Sequence, residues 1–467
     1  MSASGRKIAL AAIPICLTLA FWRVHPHLIF DTDSARYLAG SPMRTATYPV
    51  FLDLAFGPAL LAIQLLLLAG ALCWLAVYSL KFLPTIACAA MILSISANPY
   101  IWELQASVMS EALTTPILTL VVGCVLAFAL TGGRSLIITS ALLCGLATTV
   151  RPSLAPLILT PLCAVWVAPT LTRKIKLSAF LLLAWGTPVA AERLYSRAVH
   201  GPELTSPLGR QIFMKAAIID ASPTQFASTD PVDRRLLQAL NQDFAPARAI
   251  VAKATDRGVR YTLLTNYEAF AGYPYATNIM ESMHLGEADF HRHLLNVGLA
   301  RLESNPWAYL ELAATEYHRM WLLHQRKDPE LASEYNAFLT REAPIPFQAQ
   351  LGELAQPTPA GAQRPILHLQ RMVFAAVGLL AALMTMGLAI RREGPLSQAA
   401  FALLLGSQAV LVFSAFLGVG LPRYAMGMWP TLIAGELLGI VGVFGFWARR
   451  LPIGRGSGGP EQYGGQE

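Results

Sequence analysis

Residues 56–80 read FGPALLAIQLLLLAGALCWLAVYSL, an apolar run in which no side chain carries a charge. An α-helix rises about 1.5 Å per residue, so this run is long enough to cross the roughly 30 Å of hydrocarbon in a bilayer. The run therefore predicts a membrane-spanning helix.

Similar runs occur on both sides of it. The chain is 55% hydrophobic and only 13% charged, with a mean hydropathy of +0.49, which is more apolar surface than a soluble core can bury. We predict an all-α membrane protein with about ten transmembrane helices. The predicted spans lie near 8–24, 56–80, 83–99, 108–131, 135–150, 153–170, 176–194, 366–390, 397–420 and 424–447.

The first span follows Arg6 and Lys7, as the apolar part of a secretory signal would. The bulky Phe21 and Trp22 stand where a cleavage site would have small residues. We therefore interpret this segment as a retained helix.

Lys and Arg fall in alternate connections, which by the positive-inside rule places the N-terminus in the cytoplasm. The cationic positions on that side are Arg6, Lys7, Lys81, Arg134, Arg173, Lys174, Lys176, Arg391, Arg392, Arg449, Arg450 and Arg455. The net charge of +7 is then mainly a topological signal with some attraction to anionic lipids, and it does not imply nucleic acid.

The composition divides the chain into four parts. We predict an N-terminal transmembrane domain at 1–203 with an external first loop at 24–48, a largely helical external domain at 204–365 between the seventh and eighth spans, C-terminal transmembrane helices at 366–450, and a disordered cytoplasmic tail at 451–467. All six cysteines lie within predicted spans, so no disulfide framework or cysteine metal site is expected.

This topology gathers several ionisable residues on the external side. They are Asp31 and Asp33 in the first loop, Glu111 at the start of a span, Arg151 at the end of another, and Arg423 before the last. Ionisable residues at a membrane boundary are a functional hypothesis by default. The alternatives are that the arginines anchor lipid headgroups and that Glu111 is favoured by its helix N-terminus alone.

At these residues the chain resembles the multi-spanning C-type glycosyltransferases and is most similar to their protein mannosyltransferase and aminoarabinose transferase branch. The resemblance covers roughly the first 155 residues and 420–431, and more weakly 290–321. The residues that carry it are Asp33-Ser34-Ala35-Arg36-Tyr37, Tyr48-Pro49, Ser110-Glu111, Arg151-Pro152, Arg423-Tyr424 and Pro430.

The resemblance implies a polyprenyl-phosphate sugar as donor. Asp33-Ser34 stands where the family often has Asp-Glu, and Tyr48-Pro49-Val50 where it has Pro-Pro. These departures leave the sugar and the acceptor open.

Transfer of a sugar from a lipid phosphate needs a carboxylate to take the acceptor's proton and cations to stabilise the departing phosphate. We predict Asp33 as the catalytic base and Arg151 and Arg423 as the donor-phosphate contacts. The predicted supporting residues are Asp31, Glu111, Tyr37 and Tyr424.

No cofactor is predicted, although a divalent cation at Asp31 and Asp33 is an alternative, because such ions bind carboxylate oxygens. In a helix His291 and His293 would point about 200° apart, which makes them a poor pair of metal ligands. No metal site is predicted there. Glu436, deep in the last span, is interpreted as a protonated or paired packing residue.

The predicted function is therefore an integral membrane glycosyltransferase, placed in a bacterial inner (plasma) membrane with its site facing the periplasm. Its predicted partners are the lipid-linked donor, membrane lipids and an acceptor that the sequence does not name. The alternatives are a transporter or flippase for lipid-linked sugars, an O-antigen ligase or polymerase, and a purely structural scaffold.

Overall fold

The computed structural model describes most of the N-terminal and C-terminal apolar helices and much of the segment that lies between these two groups of helices. The described residues are 2–30, 34–38, 45–55, 59–166, 171–201, 208–219, 230–256, 259–260, 263–264, 271, 275–321, 364–390, 394–418 and 421–450. Within them there is no β-strand, and the only β-type pairing is an isolated bridge between Ile29 and Ser107.

The described residues up to position 201 contain ten α-helices and one 3₁₀ turn. They are α1 (Ala3–Val24), α2 (Ser34–Leu38), α3 (Thr47–Ala55), α4 (Ala59–Ser79), α5 (Thr85–Ser96), α6 (Pro99–Ala106), α7 (Glu111–Thr131), α8 (Arg134–Val150), the 3₁₀ turn Pro152–Ile158, α9 (Leu159–Val165) and α10 (Leu171–His200).

Shorter helices follow, and long apolar helices return at the end. They are α11 (Leu208–Ile218), α12 (Pro231–Gln238), the π-helical turn Ala239–Asp243, α13 (Ala245–Lys253), α14 (Ala276–Ser282), α15 (Glu287–Ser304), α16 (Pro306–Arg319), α17 (Arg364–Ile390), α18 (Pro395–Leu417), α19 (Pro422–Gly427) and α20 (Trp429–Arg450).

In the part of the chain that the structure describes, six helices are long and apolar enough to cross a membrane, or seven if the bent pair α5 and α6 is one span. The six are Ser4–Val24, Ala59–Ser79, Glu111–Thr131, Lys174–Val199, Met372–Ile390 and Pro395–Leu417. The prediction of an all-α, multi-pass membrane protein is confirmed at this level.

Three more predicted spans coincide with apolar segments that are shorter, at Arg134–Val150, Pro152–Val165 and Trp429–Val443. The total of ten spans therefore stays a prediction. The second of these segments begins as a 3₁₀ turn with Pro152 and Pro156, residues that have no N–H to donate to a helix.

The predicted span at 83–99 differs in detail from the structure. The helix ends at Ser96, and after a break the chain continues at an angle of 53° as α6, which occupies what we expected to be a connection. Asn98 starts this second helix, because its side-chain oxygen accepts from the N–H of Tyr100 (3.1 Å) and Pro99 takes the first helical position.

Two hydrophobic cores are present in the described residues. The larger joins α1, α4, α5, α7, α8, α18 and α20, and the smaller joins α11 to α15 around Phe213, Phe244 and Phe290. The smaller core lies within the predicted external domain, whose boundaries and side of the membrane stay predictions.

Helix α16 links the two cores. It begins at an Asn305 cap, which accepts from the N–H of Ala308 (3.1 Å). At its other end Met320 and Trp321 belong to the larger core, where Trp321 packs against Phe374. The last turns of α16 therefore pack among the apolar helices of the larger core, although the helix begins within the predicted external domain.

A buried ion cluster fixes α16 to α11. Glu316 accepts two hydrogen bonds of 2.8 Å from Arg319 Nη1, and its Oε1 lies 3.7 Å from Nζ of Lys215. All three side chains are almost completely buried, so the charge of Glu316 is compensated by cations of the protein rather than by water.

Close helix packing in the larger core depends on small residues. A Cβ added at Gly145 in α8 would lie 2.3 Å from the carbonyl oxygen of Trp185 and 2.6 Å from Cγ of Pro188, both in α10. Small residues of this kind let membrane helices approach closely.

We predict that Gly145→Ala lowers the free energy of unfolding by about 1–3 kcal/mol, because a backbone carbonyl cannot move aside without separating α8 from α10. The matched control is Gly186→Ala in α10, where an added Cβ would meet no heavy atom within 4 Å. It should be neutral or slightly stabilising. Thermal unfolding of both variants in one detergent checks this, and equal melting temperatures would contradict it.

Candidate functional site

The site is built around the carboxylate of Glu111. Ser107 has an extended backbone after α6, and Ser110 already has a helical one. Glu111 is the first residue of α7, where the exposed N–H groups of the helix favour a negative charge. The Oγ of Ser110 donates to Glu111 Oε2 at 3.1 Å. The Glu111 side chain is only 1% exposed, so its charge needs partners within the protein.

Arg151 is the closest of these partners. It follows the last residue of α8 with an extended backbone, as expected for a residue that precedes a proline. Its Nη1 donates to Glu111 Oε1 at 2.5 Å, and its Nε donates to Oγ of Ser153 at 3.2 Å. These two bonds fix the plane of the guanidinium.

Arg423 approaches the same carboxylate from a distant part of the chain. It is the second residue of α19, and its Nε lies 4.0 Å from Glu111 Oε1. The Arg423 side chain is 26% exposed, compared with 13% for Arg151. Two cations therefore approach one buried carboxylate, and the one from α19 is the more exposed of the two.

Tyr424 lies beside both arginines. The Arg151 guanidinium carbon is 4.4 Å from the centre of its ring, and that of Arg423 is 5.9 Å away. A ring face at this distance attracts a cation and covers one side of it. Of the residues predicted from the sequence, Glu111, Arg151, Arg423 and Tyr424 are thus brought together.

Tyr37 joins the site through the serine. Its Oη donates to Ser110 Oγ at 3.2 Å, so a chain of hydrogen bonds leads from Tyr37 to Glu111. Its ring meets Tyr48 edge to face at 5.0 Å. Tyr37, which we predicted as a supporting residue, therefore lies one hydrogen bond away from Ser110, which in turn contacts Glu111.

Sequence reasoning missed Gln64, which contacts this group through Tyr48. Its Nε2 donates to the Oη of Tyr48 at 3.1 Å, and Tyr48 is completely buried. Burial raises the pKa of Tyr48 well above its usual range, so the phenol stays neutral. Gln64 was detectable as the single amide in the uncharged run at 56–80, a position where polar groups are costly.

The first loop is attached to the segment that leads into Glu111. The N–H of Ile29 donates to the carbonyl of Ala106 and the N–H of Val108 donates to that of Ile29, both at 2.9 Å. Ser34 Oγ donates to the carbonyl of Val108 at 3.0 Å. The predicted base Asp33 and its neighbour Asp31 lie between these anchors in the sequence and fall outside the described residues.

The far end of the first loop is attached near Arg151. The hydroxyl of Thr45 donates to the carbonyl of Val150 at 3.1 Å, and the N–H of Ala46 donates to Glu192 Oε1 at 3.1 Å. Sequence reasoning did not single out Glu192. It is held by Ser196 Oγ, four residues further along α10, at 2.7 Å.

Other carboxylates lie apart from this group. Asp53 and Glu103 are exposed. Glu436 is 4% exposed within α20, and its Oε1 has no hydrogen-bond partner in the part of the chain that the structure describes. His291 and His293 lie in α15, where they contact Arg210 Nε (3.1 Å) and Asp233 Oδ1 (2.7 Å) respectively.

The arrangement of these side chains is chemically suited to an anion. A guanidinium offers planar N–H donors that match phosphate and carboxylate oxygens, and two of them are held here at fixed places by a buried acid. Among the described residues, no group of three or more His, Cys, Asp or Glu side chains could hold a metal ion.

Comparisons of the chain with models of protein families, with curated proteins and with solved structures gave no match.

We predict that Glu111→Gln destabilises the protein, because it leaves two neighbouring cations without their shared carboxylate. Breaking a buried pair costs roughly 3–5 kcal/mol, and we expect about 3 kcal/mol here because both arginines keep some contact with solvent. The measurement is thermal unfolding of the purified protein.

The control is Glu103→Gln, an exposed carboxylate eight residues earlier, which should leave the melting temperature unchanged. If Glu111→Gln were as stable as Glu103→Gln, the acid would not be what holds the two arginines.

Proposed function

We propose that the chain is an integral membrane glycosyltransferase that moves a sugar from a polyprenyl-phosphate donor to an acceptor at the external face of a bacterial inner membrane. The observation that carries the proposal is the convergence of Arg151 and Arg423 on buried Glu111, beside the anchored first loop. Such a transfer requires cations that stabilise the departing phosphate and a nearby carboxylate that takes the acceptor's proton, and the two arginines and the acidic first loop supply these groups in the proposal.

The proposed topology has ten spans with the N-terminus in the cytoplasm. It is supported by the alternation of Lys and Arg between connections and by the apolar helices that occur at the predicted spans. It places the Glu111 group and residues 204–365 on the same, non-cytoplasmic side. The donor phosphate, held at headgroup level by its lipid, would then meet the arginines without leaving the membrane surface.

The proposed role of the arginines is to bind the donor phosphate and stabilise it as it leaves. Negative charge increases on the phosphate as the bond to the anomeric carbon breaks, and cations that are already in place need no rearrangement at that moment. Glu111 and Ser153 hold Arg151, and Tyr424 covers one face of its guanidinium. Glu111 is therefore proposed as a positioning residue.

The proposed base is Asp33, and the position of its neighbour supports the choice. Asp33 is bonded to Ser34, whose hydroxyl is fixed on Val108, three residues before Glu111. In the proposed step the acceptor's O–H or N–H proton passes to the Asp33 carboxylate while the acceptor atom bonds to the anomeric carbon. The bond from that carbon to the phosphate oxygen breaks, and its electron pair leaves with the polyprenyl phosphate.

The proposal is tested by incubating the purified protein with a panel of polyprenyl-phosphate sugars labelled in the sugar, and with candidate lipid, glycan and protein acceptors. Release of free polyprenyl phosphate together with a labelled acceptor is the expected result. Donor moved across a vesicle bilayer without cleavage would instead identify a flippase. Turnover only of pyrophosphate-linked oligosaccharides would identify a ligase.

We predict that Arg423→Ala weakens donor binding about 10- to 100-fold, because hydrogen bonds to a charged group contribute about 1.5–3 kcal/mol. Arg423→Lys should recover only part of this, since an ammonium cannot hold two oxygens in one plane. The measurement is donor affinity of the folded protein, with Arg234→Ala as control, an exposed arginine on α12. Unchanged affinity in Arg423→Ala would assign Arg423 to headgroup anchoring.

We predict that Asp33→Asn reduces turnover by about two to four orders of magnitude with donor binding largely retained, because the amide keeps the shape but cannot accept a proton. Asp31→Asn is the matched control and should be milder. Initial rates at saturating donor measure the difference.

A dead Asp31→Asn beside an active Asp33→Asn would move the role to Asp31. Loss of turnover in both, with rescue by added divalent cation, would favour a metal bridging the two acids. Normal turnover of both would remove the first loop from the mechanism.

A further inference from the structure

A cavity of about 710 Å³ lies on the other side of α16 from the larger core. It is partly open and is lined by the end of α11, by α13, by Arg260 and Leu264, and by the first three turns of α16. None of the residues that line it belongs to the Glu111 group.

The position of this cavity along the apolar helices follows from how α16 packs against α18. Tyr309 Oη donates to the carbonyl of Phe416 at 2.9 Å, and Tyr317 Oη donates to Gln408 Oε1 at 2.5 Å. Eight residues separate the two contacts in each helix, so the helices run antiparallel and side by side over about 12 Å. Thr315 lines the cavity and lies between these two contacts along α16, so the cavity is at the same level as the last turns of the apolar helix Pro395–Leu417, with α16 between them.

Most of the residues that line the cavity are apolar, among them Ile218, Val251 and Leu312, while about half of the wall surface is polar. Two cations also line it, Arg248 and Arg260. Nη1 of Arg248 donates to the carbonyls of Ala217 (3.1 Å) and Leu240 (3.0 Å), which fix its guanidinium.

Neither arginine makes an ion pair with a carboxylate of the described residues, and the one acid in the lining, Glu311, is exposed. The lining thus has more positive than negative charge at a place where the chain borders the membrane. An anion is the ligand that this excess favours.

Trp307 also lines the cavity, with 79% of its surface exposed. A tryptophan in the first turn of a helix that follows a span to its end is typical of the membrane interface, where the ring is apolar and the indole N–H remains wet. This places the mouth of the cavity at headgroup level.

We propose that the cavity binds one lipid phosphate. Arg248 and Arg260 hold the phosphate group, the hydrocarbon chain lies along the apolar residues of the wall, and Trp307 covers the ligand at the interface. A phospholipid and a polyprenyl phosphate share this chemistry, and either can be the source. The proposal does not depend on the transferase activity, because it uses a separate set of residues.

The test uses full-length protein in a neutral detergent and a fluorescent short-chain lipid phosphate whose binding is followed by anisotropy. The protein carries Arg423→Ala, so that binding at the Glu111 group is weakened throughout. In this background Arg260→Ala should weaken binding about tenfold or more. Arg234→Ala, an exposed arginine that does not line the cavity, should leave it unchanged.

Competition then identifies the chemistry. Unlabelled phosphatidylglycerol or polyprenyl phosphate should displace the probe, and the stronger competitor identifies the source. The neutral prenol and inorganic phosphate should each compete at least tenfold more weakly, because the prenol lacks the phosphate group and inorganic phosphate lacks the hydrocarbon chain. Equal affinity of Arg260→Ala and Arg234→Ala, or equal competition by the prenol, would overturn the proposal while leaving the role of Arg423 intact.

Discussion

The burial of one carboxylate, that of Glu111, constrains more of this structure than any other single interaction. An acid that is 1% exposed at the edge of a membrane must be compensated by cations of the protein, because water is not available to it. The two cations come from the end of α8 and the start of α19, on either side of the long middle segment. The carboxylate therefore fixes the C-terminal helices relative to the N-terminal ones at the level where the first loop is attached.

A second buried acid, away from the site, is also compensated by cations of the protein. Glu316 lies between Lys215 and Arg319, so the smaller core is joined to α16 by charge, and α16 is joined to the larger core by aromatic contacts. Trp321 can reach Phe374 because Gly378 has no side chain: a Cβ there would lie 2.4 Å from the indole. Helix α16 thus connects the two cores through the ion cluster at Glu316 and the aromatic contact of Trp321.

The sequence predicted the helical fold well because apolar length is a property of each segment alone. It failed where neighbouring residues decide the geometry: the break after Ser96 depends on the Asn98 cap and Pro99, and the insertion of Met320 and Trp321 depends on partners far away in the chain. In the site, Arg151, Arg423, Glu111 and Tyr424 were predictable from topology and charge. Gln64 was detectable as a polar residue in an apolar run, but its contact with Tyr48 was not, and Glu192 gave no signal, because these contacts form only when the helices assemble.

The two arginines are not equivalent, and the difference follows from their contacts. Arg151 makes a 2.5 Å bond to Glu111, a second bond to Ser153 and a close approach to the Tyr424 ring, so three sides of its guanidinium are fixed. Arg423 stands 4.0 Å from the same carboxylate and is twice as exposed. In the proposed function these contacts give the two arginines different parts. Arg151 is the more firmly held contact for the donor phosphate and Arg423 the more accessible one, and Glu111 positions the guanidiniums of both.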